Sequence, residues 1–232
     1  MKAVRAITGT LGELLITLGV LTLLFVGWQL WWTDVAANAV QSDTVGSLSE
    51  DFQRPEAVSP AIAKLKDVPL GEAFAIVRIP ALGRGYAVPV VEGTTRDVLR
   101  KGIGHYDGTA MPGQVGNFAI AGHRMTYGGP FRDIERVLPG DRVIVETAAT
   151  YYVYRVGPHT LVPPSHVAAI AAMPERPGVR PDKPYITLTA CHPMYSARER
   201  YIVHAEFAYW TDRADGIPEA LATEAPAPQE ES

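Results

Sequence analysis

The chain has 232 residues, a formal net charge of −4 and one cysteine. This length is typical of one domain with additional segments. The slightly acidic balance provides no basic surface for a phosphate backbone, which excludes nucleic acid as a partner. A lone cysteine excludes an intramolecular disulfide, so the thiol is available for another role.

The N-terminal segment indicates a membrane protein. Residues 14–32 contain no charged side chain, and this length is what a helix needs to cross the hydrocarbon core. Lys2 and Arg5 precede the segment, whereas four acidic residues and no basic one occur in residues 33–53. Basic residues stay on the cytoplasmic side. We therefore expect a single-pass protein of the cell membrane, with residues 1–13 in the cytoplasm and the remainder outside the cell.

Two alternatives to a transmembrane anchor are open. Residues 37–39 (Ala-Asn-Ala) resemble a signal-peptidase site. They lie far beyond the apolar run, however, and the intervening Trp28, Trp31 and Trp32 are typical of a membrane interface. The second alternative is a buried core helix, which the uniform apolar character of the segment disfavours.

Residues 33–70 are predicted to form an extracellular linker that is partly helical. Apolar residues recur at helical spacing between residues 34 and 52. Ser59-Pro60 and Val68-Pro69 then interrupt regular structure. We expect this linker to hold the folded domain away from the lipid surface.

Residues 71–210 have the pattern of an all-β domain. Short apolar or alternating runs are separated by turns rich in glycine and proline, which favours a closed barrel or a sandwich. A short helix with Thr95 as its N-cap is predicted at residues 95–101. The predicted strands are residues 74–79, 86–91, 117–122, 142–146, 152–156, 185–191 and 200–207.

Two segments depart from the strand pattern. Residues 157–184 contain seven prolines, with a short helix predicted at residues 165–173. Such a long, stiff connection either forms a wall of a binding site or crosses the surface without a function. Residues 211–232 are acidic and rich in proline and alanine toward their end, and they are predicted to be a disordered tail.

Three reactive side chains occur at strand ends. Cys191 ends one predicted strand, His123 directly follows another, and Arg200 begins the last. Side chains alternate along a strand, and the bulky apolar residues mark its core face. By this parity all three reactive side chains point to the outer face, where they would line an open groove on the barrel wall.

These residue types together suit acyl transfer. A thiolate is a strong nucleophile, an imidazole moves protons to and from amines, and a guanidinium donates hydrogen bonds to an oxyanion. Arg198 has the same parity as Arg200 and is an alternative for the last role. An inert packing role for Cys191 is also open. A zinc site formed by Cys191, His192 and His204 is a further alternative, although their spacing matches no standard ligand pattern.

Several short motifs surround the three reactive residues. In chain order they are Gly104-His105-Tyr106 with Pro112-Gly113, Asn117-Phe118-Ala119, Ala121-Gly122-His123-Arg124 with Thr126-Tyr127-Gly128, Thr187-Leu188-Thr189-Ala190-Cys191-His192-Pro193, and Ser196-Ala197-Arg198-Glu199-Arg200-Tyr201-Ile202-Val203-His204. In this order they resemble the class E sortases of actinobacteria, and the resemblance covers residues 74–207. It implies a closed eight-stranded sortase-type β-barrel with short helices.

The resemblance also implies a reaction, with Cys191, His123 and Arg200 as the catalytic residues. Class E sortases cleave the C-terminal sorting signal of a secreted protein between Thr and Gly, preferring Leu-Ala-x-Thr-Gly, through a Cys thioester. An amine of a peptidoglycan precursor then accepts the protein. Tyr127 is predicted to read the residue before x, and Thr189 and Ala190 to line the groove. The family pattern Thr-Leu-x-Thr-Cys has a threonine where this chain has Ala190, which puts any contact made by that hydroxyl in doubt.

Different cell-wall functions fit the sequence less well. An L,D-transpeptidase places His-Gly shortly before its cysteine, and a papain-like peptidase places its histidine after the cysteine. Here His123 lies well before Cys191. An inactive domain that binds wall peptides is a third possibility. We expect no cofactor and no metal, because no acidic cluster with ligand spacing is present.

Overall fold

A long N-terminal helix precedes a closed barrel of eight strands in this computed structural model, which describes residues 2–54, 65 and 68–222. The long helix is α1 (Lys2–Gln53), and the strands are β1 (Ala73–Arg78), β2 (Val88–Glu92), β3 (Ile103–His105), β4 (Gly116–Gly122), β5 (Arg142–Glu146), β6 (Thr150–Val162), β7 (Pro184–His192) and β8 (Glu199–Asp212). Around the barrel the strand order is β1-β2-β3-β4-β7-β8-β6-β5.

The strand pairing explains the long connection before the cysteine strand. β2–β3 and β4–β7 are parallel pairs, and the other neighbours are antiparallel. Parallel strands need a crossover. Residues 163–183 complete this crossover on the outside of the barrel, where the Asn117 amide donates to the carbonyls of Ala169 and Ala171.

The barrel interior is filled by the side chains that strand parity assigns to it. Ile186, Leu188 and Ala190 of β7 and Tyr201, Val203 and Ala205 of β8 belong to one buried cluster with Phe118 and Ile120 of β4. The predicted core face is therefore confirmed on all three strands that carry reactive residues. Closure of the sheet leaves no free strand edge in the barrel.

Helix α1 continues without a break from the apolar segment onto the barrel. From Thr8 onward the helix contains an exposed apolar stretch that is long enough to cross a membrane, and this is the one such helix in the part of the chain that the structure describes. Its second part packs against the barrel, with Ala37, Gln41 and Phe52 buried. The helical half of the predicted linker thus lies on the barrel instead of holding it away from the membrane helix.

The strand predictions missed two details. β3 has three residues, one of them Gly104, and is too short for a periodic signal. β6 continues through Gly157 and Pro158 to Val162, because irregular pairing with β8 between Val156 and His159 accommodates the two residues that normally break a strand.

The predicted crossover helix and tail also differ from the structure. The helix predicted at residues 165–173 is a short 3-10 turn, Val167–Ile170. β8 extends to Asp212, and the short helix Glu219–Ala222 packs on the barrel through Ala220 and Leu221. Residues 211–222 are therefore ordered, since apolar contacts hold them. The predicted tail at residues 223–232 and the predicted break at Ser59-Pro60 lie outside the described residues.

Candidate active site

Cys191 and Arg200 are held opposite each other on neighbouring strands. Cys191 is the penultimate residue of β7, and its Cα is paired with that of Arg200 at the start of β8. Side chains of directly opposed residues project from the same face of a sheet. The thiol is free and partly exposed. The predicted convergence of these two positions is therefore present in the backbone.

His123 reaches the same point from the other side of β7. β4 and β7 run parallel with Gly122 paired to Ala190, so the next residues along each strand are His123 and Cys191. Both line one cavity of about 620 Å³ on the outer face of the barrel. The sheet register therefore places His123 and Cys191 at the same end of two neighbouring strands, and both residues face the same cavity.

The Arg200 side chain is turned toward its own loop. Its Nη1 donates to the carbonyl oxygens of Ala197 at 3.0 Å and Glu199 at 3.1 Å. Arg200 does not line the cavity that contains Cys191 and His123. Arg198 is exposed and lies outside β8. The register thus places Arg200, and not Arg198, opposite Cys191, while the Arg200 guanidinium is bonded to these two carbonyls.

Comparison with known proteins identifies the family. Residues 77–208 match the sortase domain. The chain belongs to the sortase family. Sortase SrtE1 of Streptomyces coelicolor is 39% identical over 227 residues, which are 92% of this chain and 60% of that protein. The chain thus spans about three fifths of the length of this relative.

Solved sortase structures agree with this assignment. The SrtA sortase from Actinomyces oris is 45% identical, with a TM-score of 0.64 over 67% of this chain and 91% of that one. A crystal structure of sortase E1 from Streptomyces coelicolor with a tripeptide in the active site is 37% identical, with a TM-score of 0.61 over 67% of this chain and 99% of that one. The predicted eight-stranded barrel and the resemblance to class E sortases are both confirmed.

The surroundings of His123 favour its neutral form. Burial of the imidazole lowers the pKa of His123, and the positive charge of Arg100 lowers this pKa further. The Tyr127 ring is near both residues: its centroid lies 5.4 Å from the centroid of the His123 ring and 5.2 Å from Cζ of Arg100. Arg100 follows the short helix Arg96–Leu99 and belongs to no sequence motif, so sequence reasoning missed its proximity.

Arg124 supports the strand end that carries the thiol. This residue is 3% exposed, and its Nη1 contacts the Glu135 carboxylate at 3.1 Å, the Cys191 carbonyl at 3.5 Å and His192 Nδ1 at 3.3 Å. A buried guanidinium with several acceptors fixes its neighbours in place. The motif Gly-His-Arg drew attention to the histidine, whereas the arginine beside it contacts the backbone of Cys191.

The predicted groove residues differ in their exposure. Tyr127 is partly exposed beside His123, as expected. Thr189 is 5% exposed, and its hydroxyl contacts the Ile120 carbonyl and the Tyr106 hydroxyl. Ala190 is 2% exposed and belongs to the barrel core. Thr189 and Ala190 are therefore both packed in the structure, and their contact with a substrate stays a prediction.

The zinc alternative does not fit the register. His204 is paired with Thr187, four residues before Cys191 on β7. At about 3.3 Å per residue this separates the two side chains by roughly 13 Å, far more than a shared metal permits. The His204 ring instead contacts the Thr187 hydroxyl at 2.9 Å and the Glu175 carboxylate at 3.2 Å.

Proposed function

We propose that the protein is a membrane-anchored class E sortase. It cleaves a C-terminal sorting signal of the Leu-Ala-x-Thr-Gly type between Thr and Gly and transfers the secreted protein to a peptidoglycan amine. Sortases are cysteine transpeptidases. The observation that carries this proposal is the convergence of Cys191, His123 and Arg200 at one end of three adjacent strands.

The first half-reaction forms a thioester. His123 accepts the thiol proton of Cys191, and the resulting thiolate attacks the carbonyl carbon of the Thr in the sorting signal. The carbonyl electron pair moves onto oxygen, to which Arg200 donates a hydrogen bond. When the intermediate collapses, the Thr–Gly C–N bond breaks, and the His123 imidazolium gives its proton to the leaving amine.

The second half-reaction reverses these roles. The peptidoglycan amine attacks the thioester carbonyl, and neutral His123 accepts a proton from the attacking nitrogen. The C–S bond breaks, and Cys191 leaves as the thiolate. The lowered pKa of His123, which burial causes first and Arg100 second, favours the neutral base that this step needs.

The membrane arrangement rests on α1. Lys2 and Arg5 before the apolar segment and the acidic residues after it support a cytoplasmic N-terminus with the barrel outside the cell. Ala37, the first residue of the alternative cleavage site, is buried in a helix packed on the barrel. Cleavage after Ala39 would remove Ala37 together with Asp34, which binds Gly128 and Arg132 of the barrel domain, so these contacts favour an uncleaved anchor.

A fluorogenic sorting-signal peptide tests the proposal. We expect cleavage of Leu-Ala-x-Thr-Gly to exceed that of Leu-Pro-x-Thr-Gly, and an added amine to appear in the product. Cys191→Ala should abolish the thioester seen by mass spectrometry, and His123→Ala should be comparably severe. Cleavage that persists in Cys191→Ala would refute the mechanism. Cleavage without transfer to any amine would instead indicate a cell-wall peptidase.

A further inference from the structure

Helix α1 forms hydrogen bonds and an ion pair with the loop that follows the proposed catalytic histidine. We define the histidine loop as residues 124–132. The Asp34 carboxylate lies 2.7 Å from the Arg132 guanidinium, and its other oxygen accepts a hydrogen bond from the Gly128 N–H at 3.1 Å. Seven residues further along the helix, the Gln41 amide donates to the Tyr127 carbonyl at 2.9 Å. Two turns of α1 thus hold the tip of this loop.

The backbone of the histidine loop that α1 contacts has an unusual conformation that neighbouring structure must stabilise. Tyr127, Gly128 and Gly129 follow one another with φ values of 55°, 79° and 55°. A tyrosine in the left-handed region is uncommon and persists where the surrounding structure holds it. The contacts from α1 fall on this turn, at Tyr127 and Gly128.

The position of the histidine loop determines the position of His123. The Phe131 N–H donates to the His123 carbonyl at 2.9 Å. The Phe131 ring lies against Gly122, where an added Cβ would be 2.5 Å from its Cδ2 atom. Since the Tyr127 ring packs beside the imidazole, the loop fixes His123 through both its backbone and its ring.

The helix also borders the reaction site itself. Trp31, Thr33 and Asp34 line the same cavity as His123 and Cys191. These three residues lie at the end of the apolar segment, so the cavity opens beside the part of α1 that meets the membrane surface. Residues of the barrel and residues of α1 therefore both line this cavity.

From these contacts we propose that Asp34 is a positioning residue for His123, so that the membrane helix completes the active site. This inference rests on the proposed catalytic role of His123. Asp34 acts by holding the histidine loop and touches no reacting atom. Its carboxylate is suited to this task because one oxygen binds a backbone N–H while the other binds a guanidinium.

The test uses the full chain reconstituted in lipid nanodiscs, with Asp34→Asn, Asp34→Glu and the matched control Asp43→Asn. Asp43 is an acidic residue on the same helix. A displaced catalytic group costs up to about 100-fold in rate. We expect Asp34→Asn to lower kcat roughly 10-fold or more, with KM within about twofold, and Asp34→Glu to restore most of the loss. The acid limb of the kcat/KM profile should move in Asp34→Asn, because the surroundings of His123 change.

The outcomes separate this inference from the proposed function. If Asp34→Asn retains kcat and the pH profile while His123→Ala is inactive, the positioning role is wrong and the sortase mechanism stands. An equal loss in Asp43→Asn would also overturn it, since helix charge alone would then explain the effect. Full activity in His123→Ala would refute both. Should Asp34→Asn unfold, Arg132→Gln removes the same ion pair from the loop side and must lower kcat in the same way.

Discussion

Replacement of Arg200 by glutamine tests the proposed oxyanion donor. In the structure its guanidinium bonds two carbonyls of its own loop, from Ala197 and Glu199. One oxyanion donor typically contributes about 2.7–4 kcal/mol to the transition state, and an ordinary hydrogen bond given up costs about 0.5–1.5 kcal/mol. The remaining difference of about 2–3 kcal/mol corresponds to a loss of roughly 30- to 150-fold in the acylation rate.

The assay is single-turnover thioester formation with a sorting-signal peptide, quenched and measured by mass spectrometry. Arg198→Gln is the matched control, because Arg198 is exposed and precedes β8. Thermal unfolding should show that both variants are folded. An acylation rate in Arg200→Gln within about threefold of the native rate would refute the oxyanion role. A larger loss in Arg198→Gln would show that the wrong arginine was assigned.

Three further predictions concern charge, packing and pH. Arg100→Gln should raise the pKa of His123 in an NMR titration, since burial is the largest cause of the lowered pKa and the charge of Arg100 is the second. The control Arg96→Gln, at an exposed position, should leave the pKa of His123 unchanged. Equal shifts in the two variants would contradict this prediction. Ala190→Thr should destabilise the barrel by about 1–3 kcal/mol in urea unfolding, because it adds volume and a hydroxyl to a filled core; an unchanged midpoint would show spare room there. Burial lowers the pKa of both His123 and His204, so the unfolded chain binds more protons, and the free energy of unfolding should fall as pH drops below an ordinary histidine pKa of 6.5. Urea titrations on both sides of that pH measure how steeply the free energy of unfolding depends on pH. His204→Gln should reduce this dependence, and a free energy that does not change with pH would contradict the prediction.

Strand periodicity was sufficient to predict most of the barrel. The alternation in β7 and β8 identified the core face correctly, because a buried barrel interior requires apolar residues at every second position. β3 could not be found in this way, since three residues do not define a period. Gly157 and Pro158 concealed the second half of β6, because bulged pairing tolerates residues that usually end a strand.

The contacts that surround the reactive residues were beyond sequence reasoning. The helical spacing of residues 34–52 predicts a helix, but it does not say which surface the apolar face covers. Arg100 and Asp34 meet the histidine loop only through tertiary packing across long stretches of chain, as the ion pair of Asp34 with Arg132 shows. Rotamer choice is equally hidden: the register fixes the Cα of Arg200, whereas the local carbonyls decide where its guanidinium lies.

The topology explains why these three residue types occur at these strand ends. β4 and β7 are parallel, so His123, directly after β4, and Cys191, near the end of β7, lie at the same end of the barrel. β8 is antiparallel to β7, so its first residues lie at that end too. Cys191 on the middle strand thus has His123 on one side and the Cα of Arg200 on the other without any long loop. Because side chains alternate, one extra residue between Thr187 and Cys191 would turn the thiol into the barrel interior, which makes the register itself part of the catalytic arrangement.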